Sequence, residues 1–431
     1  MGRVSFHTLG CKLNFAETSN LRQEFESRGY ETVDQRDSCD ISIINTCSVT
    51  AEADRKCRQI IRRINRLNPQ AFIVVTGCYA QLRPKEVASV EGVSAVLGNA
   101  EKARIFDLIE DFIPREHTQV NVSCTGTHTS FAPAFLSDDR TRAFLKIQDG
   151  CDYSCSFCTI PMARGKSRSA SPDEIVAQAE SLAQRDIKEI ILTGVNIGLY
   201  GKGSLNENGG PHLLDLLYRL AKVDGILRYR ISSIEPNLLT DDIIDFVADT
   251  PVMVPHFHIP LQSGNNAVLG AMRRRYRREV YSHRVEYIRR RMPEASIGAD
   301  VIVGFPTETA EHFTDTHTFL ANLPVTYLHV FTYSERPNTA SVIQTQRAVP
   351  PPERSLRNRA LRALSDRKRR MFREQFRGQV RPVLWERNVK SDTIRGYTDN
   401  YIRVSRPFDQ DRIGSVEKVT LGSADAQFVL R

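Results

Sequence analysis

Over the first hundred residues, apolar and polar positions alternate in blocks. Short apolar runs at 4–9, 41–44 and 72–75 read as strands. Segments of helical spacing lie between them, at 14–28 (stopped by Gly29) and 50–67 (ended ahead of Pro69). Strands alternating with helices predict a parallel sheet covered by helices, an α/β unit. Residues 115–139 carry scattered polar positions without a period and read as a linker. A second alternating block follows, with strands expected at 143–148, 189–193, 227–232, 256–259, 297–303 and 327–332. Ser171-Pro172-Asp173-Glu174 opens one intervening helix with a cap, a proline and first-turn acids. Six β/α units predict a partial (β/α)6 barrel with its active groups at the carboxyl ends of the strands. Pro350-Pro351-Pro352 closes the block and a basic helix follows. After Gly378 the pattern changes to short strands at 381–385, 394–397, 401–404 and 415–421. That tail suits a small five-stranded β-barrel, an architecture often used on nucleic acids. The expected domains are 1–114, 137–367 and 370–431.

Composition narrows the class. With 431 residues, 41% of them hydrophobic, the chain can bury several cores. Its start lacks the apolar core of an export signal, and no apolar run is long enough to span a bilayer. A soluble, cytoplasmic protein without a membrane partner is expected. Nine cysteines then point to reduced thiols and metal ligands rather than disulfides. The net charge is +8, concentrated at 353–377, where ten Lys/Arg face three Asp/Glu. Further basic clusters lie at 55–66, 273–278 and 289–291. A solvated helix face explains any one patch. Several together point to a polyanionic partner, nucleic acid.

The cysteines carry the chemistry. Cys151, Cys155 and Cys158 sit in one tight loop, with three and then two residues between them. Three thiolates are one short of a closed zinc site. They suit an iron–sulfur cube with one iron left open, since such clusters are built on short cysteine spacings. A zinc knuckle lacking its fourth ligand, or inert cysteines, are the alternatives. Each of the three N-terminal strands also runs into a cysteine: Leu9-Gly10-Cys11, Asn45-Thr46-Cys47 and Thr76-Gly77-Cys78. Ligands of open α/β sheets sit beyond the strands' carboxyl ends, and neighbouring strands lie about 5 Å apart. Cys11, Cys47 and Cys78 can therefore meet at one cluster, with Gly10 and Gly77 allowing close approach. Buried core cysteines are the plainer alternative. Cys39, Cys57 and Cys124 are left unassigned.

With an aromatic residue, Phe157, before its last cysteine, the C-x-x-x-C-x-x-C loop resembles the radical S-adenosylmethionine (SAM) enzymes. The resemblance spans about 140–366 and implies a [4Fe–4S] cluster on Cys151, Cys155 and Cys158, SAM on its open iron, and a partial barrel. It puts Phe157 beside the cofactor, and Gly194 and Asn196 of Thr193-Gly194-Val195-Asn196 where the family has its SAM-amine loop. At later strand ends, Ser233 and Glu235 in Ser232-Ser233-Ile234-Glu235-Pro236, with Gln262, offer polar contacts to a zwitterion or ribose. Gly304 allows a nucleoside close; ordinary loop chemistry is the alternative for each. Thr193-Gly194-Val195-Asn196 departs from the family's usual Gly-Gly-Glu form. The C-terminal tail resembles the TRAM domain, an RNA-binding module. Together, the three units look like the methylthiotransferases. That resemblance implies a second [4Fe–4S] cluster on Cys11, Cys47 and Cys78 that carries the sulfur to be transferred. It also implies tRNA as partner, an electron donor and a sulfur source.

Three substrate classes compete within the family: isopentenyladenosine in tRNA, threonylcarbamoyladenosine in tRNA, and an aspartate of a ribosomal protein. Leu9-Gly10-Cys11-Lys12-Leu13-Asn14, Arg230-Ile231-Ser232-Ser233-Ile234-Glu235-Pro236 and Met272-Arg273-Arg274-Arg275-Tyr276 resemble the threonylcarbamoyladenosine class most. Its substituent carries a carboxylate, so a cation is expected in the pocket; Arg336, just past the last barrel strand, is the candidate. No acid–base constellation stands out, and the D-x-H-x-x-G loop of cobalamin enzymes is missing. A non-catalytic iron–sulfur RNA-binding protein is the rival reading.

Overall fold

The computed structural model describes residues 2–109, 111–114, 116–127, 131, 134–136, 141–202, 211–343, 348–386 and 392–429. The first unit is a parallel sheet of β1 (Arg3–Thr8), β2 (Glu31–Val33), β3 (Ile41–Thr46), β4 (Phe72–Gly77), β5 (Val93–Leu97) and β6 (Gln119–Asn121), in the order β2-β1-β3-β4-β5-β6. Every residue of β3 and β4 is buried because both faces are covered. Val4, Phe6, Ile41, Ile43, Phe72 and Val74 pack on one face with Leu21 and Phe25 of α1 (Lys12–Ser27). Ile44, Ile73 and Val75 pack on the other with Cys57, Ile61 and Ile64 of α2 (Ala51–Leu67). Pairing of Thr8 with Asn45 and of Thr46 with Gly77 keeps the carboxyl ends of β1, β3 and β4 level. The sheet continues past the expected limit at 114, because β6 comes from the supposed linker. The linker's expected ends, Arg115 and Asp139, and the domain start at 137 lie outside the described residues.

The second unit is an open barrel. β7 (Ala134–Leu136) runs antiparallel to β8 (Arg142–Lys146), and the short pair β9 (Gln148–Asp149) and β10 (Arg168–Ser169) flanks the cysteine loop. β8, β11 (Glu189–Thr193) and β12 (Arg228–Ile231) are parallel, as are β13 (His256–His258), β14 (Ser296–Val303) and β15 (Tyr327–Thr332). Single bridges, Tyr229 to Met253 and Ser233 to His258, join the two sets, giving the six parallel strands expected. The basic helix Pro351–Glu374 covers β15: Leu361 and Leu364 enter the core, and Ser365 Oγ accepts from Leu328 N and donates to Leu328 O. Part of its positive charge is structural, since Arg354 and Arg357 are buried against Glu335 and Glu308.

The third unit is an antiparallel sheet of β16 (Val380–Glu386), β17 (Thr393–Thr398), β18 (Arg403–Pro407), β19 (Val416–Thr420) and β20 (Gln427–Phe428), wrapped on the fully buried Trp385. It docks against the amino ends of the barrel strands. Arg142 pairs with Glu386, Arg228 donates to Pro382 O (2.8 Å), and Arg230 donates to Asp399 O (3.2 Å). Glu189 lies beneath them, fully buried and 2.8 Å from Arg230. The small domain therefore closes the floor of the lumen.

A buried charge network joins the first two units. Glu17 of α1 meets Lys102 (2.5 Å), Lys146 (3.1 Å) and Arg164 (2.9 Å); Asp149 meets Lys146, Arg164 and Arg168. Burial would raise both carboxyls, but these cations outweigh it and hold Glu17 and Asp149 well below the usual carboxylate range. Glu17→Gln leaves buried Lys102 with no carboxylate, while Lys146 and Arg164 keep only Asp149, so it should cost about 3–5 kcal/mol, read as a lower urea midpoint. Because the folded pKa is depressed, wild type should keep this advantage above about pH 4 and lose it only as pH falls further.

Candidate active site

The loop carrying Cys151, Cys155 and Cys158 is pinned at both ends. Cys151 N donates to Gly165 O (3.1 Å), while Ser156 N and Oγ donate to Met272 O and Ala271 O. Donors point at each sulfur: Tyr153 N at Cys151 (3.4 Å), Ile160 N at Cys158 (3.4 Å) and Arg274 Nη1 at Cys155 (3.1 Å). Hydrogen bonds of this kind tune iron–sulfur clusters. Burial pushes the Cys151 thiol up to about 11 and Cys158 up to about 12, so deprotonation must accompany metal binding. Arg274 also grips Glu235, whose carboxyl burial raises and Arg274 pulls back down. Arg274 looked like one member of a surface arginine run; the structure makes it the link between Glu235 and Cys155.

Asn196 lies beside Cys151. Its backbone N donates to Gln148 Oε1 (2.8 Å), while its buried side-chain amide faces Cys151 and its Oδ1 finds no partner among the described residues. An orphaned buried oxygen beside the cysteines fits a polar ligand there. Gln148 in turn donates to Gly150 O and Ser167 Oγ, a positioning role the sequence did not reveal. At Gly194 a Cβ would stand 2.8 Å from Ile197 and 2.9 Å from Gln148 Oε1, so this turn admits no side chain. Ser233 bridges to His258, and Gln262 takes a left-handed φ of 67°. Phe157 packs edge-on to Phe305, with Met272 and Tyr333 in the same cluster. Gly304 differs from expectation. Its N–H donates to Glu308, and the space beside its Cα is filled by Arg354, 2.4 Å from a Cβ, rather than open to a nucleoside.

Cys11, Cys47 and Cys78 follow the level ends of β1, β3 and β4. Burial raises the Cys47 thiol to about 12, with Cys78 and Cys11 adding to the shift. Burial also raises Cys11, against the pull of Arg164. Asn14 Nδ2 donates to Leu9 O (2.7 Å) and Thr46 O (3.0 Å), tying together the approaches to two of these cysteines. All six cysteines of the two trios are free thiols. Among the described residues, the group close enough to hold a single ion is His258, Asp300 and His329, so neither trio is drawn in around one ion. Open trios suit cubes, whose ligands spread over separate irons. The trios lie on either side of a packed seam: helix Cys78–Leu82 rests on helix Ile160–Arg164, and Asn99 Nδ2 donates to Ala163 O (2.7 Å). Of the unassigned cysteines, Cys39 accepts from Ser5 Oγ, Cys57 is core, and Cys124 is exposed.

Arg336 is not the free cation expected. It is buried, paired with Asp54 (2.7 Å) and Ser48 (2.6 Å) of the first unit, while its neighbour Glu335 pairs with Arg354. The lumen holds another cation, Lys12, the residue after Cys11. Burial, with Arg142 and Arg230 nearby, pushes its ammonium down to about 8.

Comparison with known proteins agrees with this geometry. The model of the radical SAM superfamily matches residues 145–320, and the one described as uncharacterized protein family UPF0004 matches 3–98. The radical SAM methyltransferase TsrM from Kitasatospora setae shares the fold at a TM-score of 0.60 and 18% identity, over 80% of this chain and 76% of that one. The fold is thus that of a radical SAM enzyme. The threonylcarbamoyladenosine tRNA methylthiotransferase MtaB of Bacillus subtilis is 39% identical over 100% of this chain and 97% of its own length. Its Aquifex aeolicus counterpart is 39% identical over 94% and 96%. The chain belongs to the radical SAM methylthiotransferase family.

Gly10 offers a direct probe of the N-terminal trio. Its φ is 100°, and a Cβ would fall 2.5 Å from Cys47 Cβ and 2.8 Å from its sulfur. Gly10→Ala should therefore lower reconstituted iron from about eight atoms to about four. A full complement of iron would contradict the site.

Proposed function

We propose that the protein is a tRNA methylthiotransferase that converts N6-threonylcarbamoyladenosine beside the anticodon to its 2-methylthio derivative. The observation that carries this reading is one chain holding two open cysteine trios on either side of a single seam, at the mouth of a closed-floor barrel. The activity of the relatives that align along nearly all of it supports the reading. Its cofactors are two [4Fe–4S] clusters, on Cys151/Cys155/Cys158 and on Cys11/Cys47/Cys78, and SAM, which together supply sulfur, a methyl group and the radical that activates the adenine C2–H.

The chain's own residues bind, orient and exclude water. Asn196 and Glu235 present polar groups beside the first trio, and Arg274 fixes Glu235 while donating to Cys155. The small domain, TRAM-like in its strands, seals the lumen floor, so the substrate base enters from the side of the cysteines. Entry requires the base to leave its stack, at a cost of a few kcal/mol recovered through contacts elsewhere on the RNA. A groove of about 870 Å³ between the basic helix and the small domain supplies them. Arg362, Arg369, Arg370 and Arg403 line it beside Tyr327, a setting for phosphate contacts. Tyr397 and Tyr401 stack on each other there, 4.8 Å apart, rather than standing free for a base. The three working units are 1–121, 134–374 and 380–428. No described helix is long and apolar enough to cross a membrane. The protein works in the cytoplasm with an electron donor and a sulfur source.

Mutation should separate the two trios. Cys155→Ala should abolish reductive SAM cleavage, measured as 5′-deoxyadenosine. Cys47→Ala should retain most cleavage and lose methylthiolated tRNA. Equal loss of cleavage in both variants would contradict divided labour.

A further inference from the structure

The lumen is rich in charge, and nearly all of it is spoken for. Arg142 is held by Glu386, Arg230 by Glu189, and Lys146 by Glu17 and Asp149. Asp300 is taken by His258 (2.9 Å) and His329 (3.3 Å). Lys12 is the exception. Its side chain keeps accessible surface, yet its ammonium lies within electrostatic reach of Arg142, Glu189, Arg230 and Asp300, which come from four different barrel strands. Nζ stands 5.7 Å from the Phe144 ring centroid. Among the described residues no hydrogen bond or ion pair engages it. α1 begins at Lys12 directly after Cys11, so the backbone that places the cysteine also aims the lysine into the lumen.

Its ammonium is open to a ligand and has no partner among the described residues, in a cavity whose other charges are paired. A carboxylate would supply one through a charge-assisted hydrogen bond. We infer that Lys12 is the residue that receives the carboxylate of the threonylcarbamoyl group, and so selects this substrate within the family. This rests on the reading of the substrate given above. The geometry of the base agrees: C2 and C6 of adenine flank N1 on one ring edge. A base whose C2 faces the Cys11 site therefore carries its N6 substituent along that same edge, within reach of the next residue. The same lysine works against the apolar alternative. An isopentenyl group would displace water from the ammonium and return no hydrogen bond, a penalty built in against the wrong substrate. Arg336, buried against Asp54, cannot serve this purpose.

The test measures binding by reconstituted protein of three anticodon stem-loops. One bears threonylcarbamoyladenosine, one the same urea without its carboxylate, and one plain adenosine. Wild type should bind the first about tenfold or more tighter than the second, as a hydrogen bond to a charged group requires. Lys12→Gln should reduce that ratio to about one, while Lys12→Arg keeps part of it. Iron content and far-UV circular dichroism of each variant establish that the fold and clusters remain. If wild type discriminates and Lys12→Gln does so equally well, the assignment of Lys12 is wrong. If wild type itself fails to prefer the carboxylated hairpin, the substrate reading falls, and the inference with it.

Discussion

The Glu17–Arg164 contact is the interaction on which the remaining geometry depends. Arg164 closes the short helix that follows the barrel's cysteine loop, and Glu17 lies on the helix that begins beside Cys11. Arg164 Nη2 also donates to Asn14 Oδ1 (2.8 Å), and Asn14 holds Leu9 O and Thr46 O. A continuous chain of hydrogen bonds thus runs from one cysteine trio to the backbone that positions the other. In this network two carboxylates face four cations, a surplus of positive charge in a dry interior. Such a surplus is expensive alone. It suits a seam flanked by two sites that become anionic when their thiols bind iron, and Arg164 already feels Cys78 and draws Cys11 down.

The lumen floor follows a related logic. Radical chemistry in an open barrel would be exposed to water from below, and this chain closes that end with its C-terminal sheet. The closure is polar, with Arg142, Arg228 and Arg230 reaching across to Glu386 and to backbone carbonyls of the small domain. The small domain therefore belongs to the catalytic cavity as well as to the RNA-facing groove. The basic helix divides its work in the same way, burying Arg354 and Arg357 as struts while Arg362, Arg369 and Arg370 remain at the surface.

What the sequence revealed depended on whether the signal was local. Apolar runs ending in Gly-Cys or Thr-Cys were legible, because strand ends and parallel topology follow from short-range pattern. The six barrel strands were legible for the same reason. β6 and β7 were not: three residues each, inside a segment without a period, they pair only because a sheet edge awaits them. Charged partners were the least legible. Arg336 stood next to Glu335 in sequence, yet folding gave Glu335 to Arg354 and Arg336 to Asp54, some 280 residues away. Arg274 was hidden in an arginine run, and Lys12 in a motif whose meaning requires the assembled barrel. Pairing of charges is a tertiary property, and no spacing rule along the chain reports it.

The central claim is that this chain adds a methylthio group to C2 of threonylcarbamoyladenosine in tRNA. Mass spectrometry of nucleosides from the tRNA of a strain lacking the gene, beside a complemented strain, tests it most directly. The account predicts that 2-methylthio-threonylcarbamoyladenosine disappears, that its unthiolated precursor accumulates, and that complementation restores the product. Persistence of that nucleoside in the deletion strain, with loss of the isopentenyl derivative instead, would contradict it.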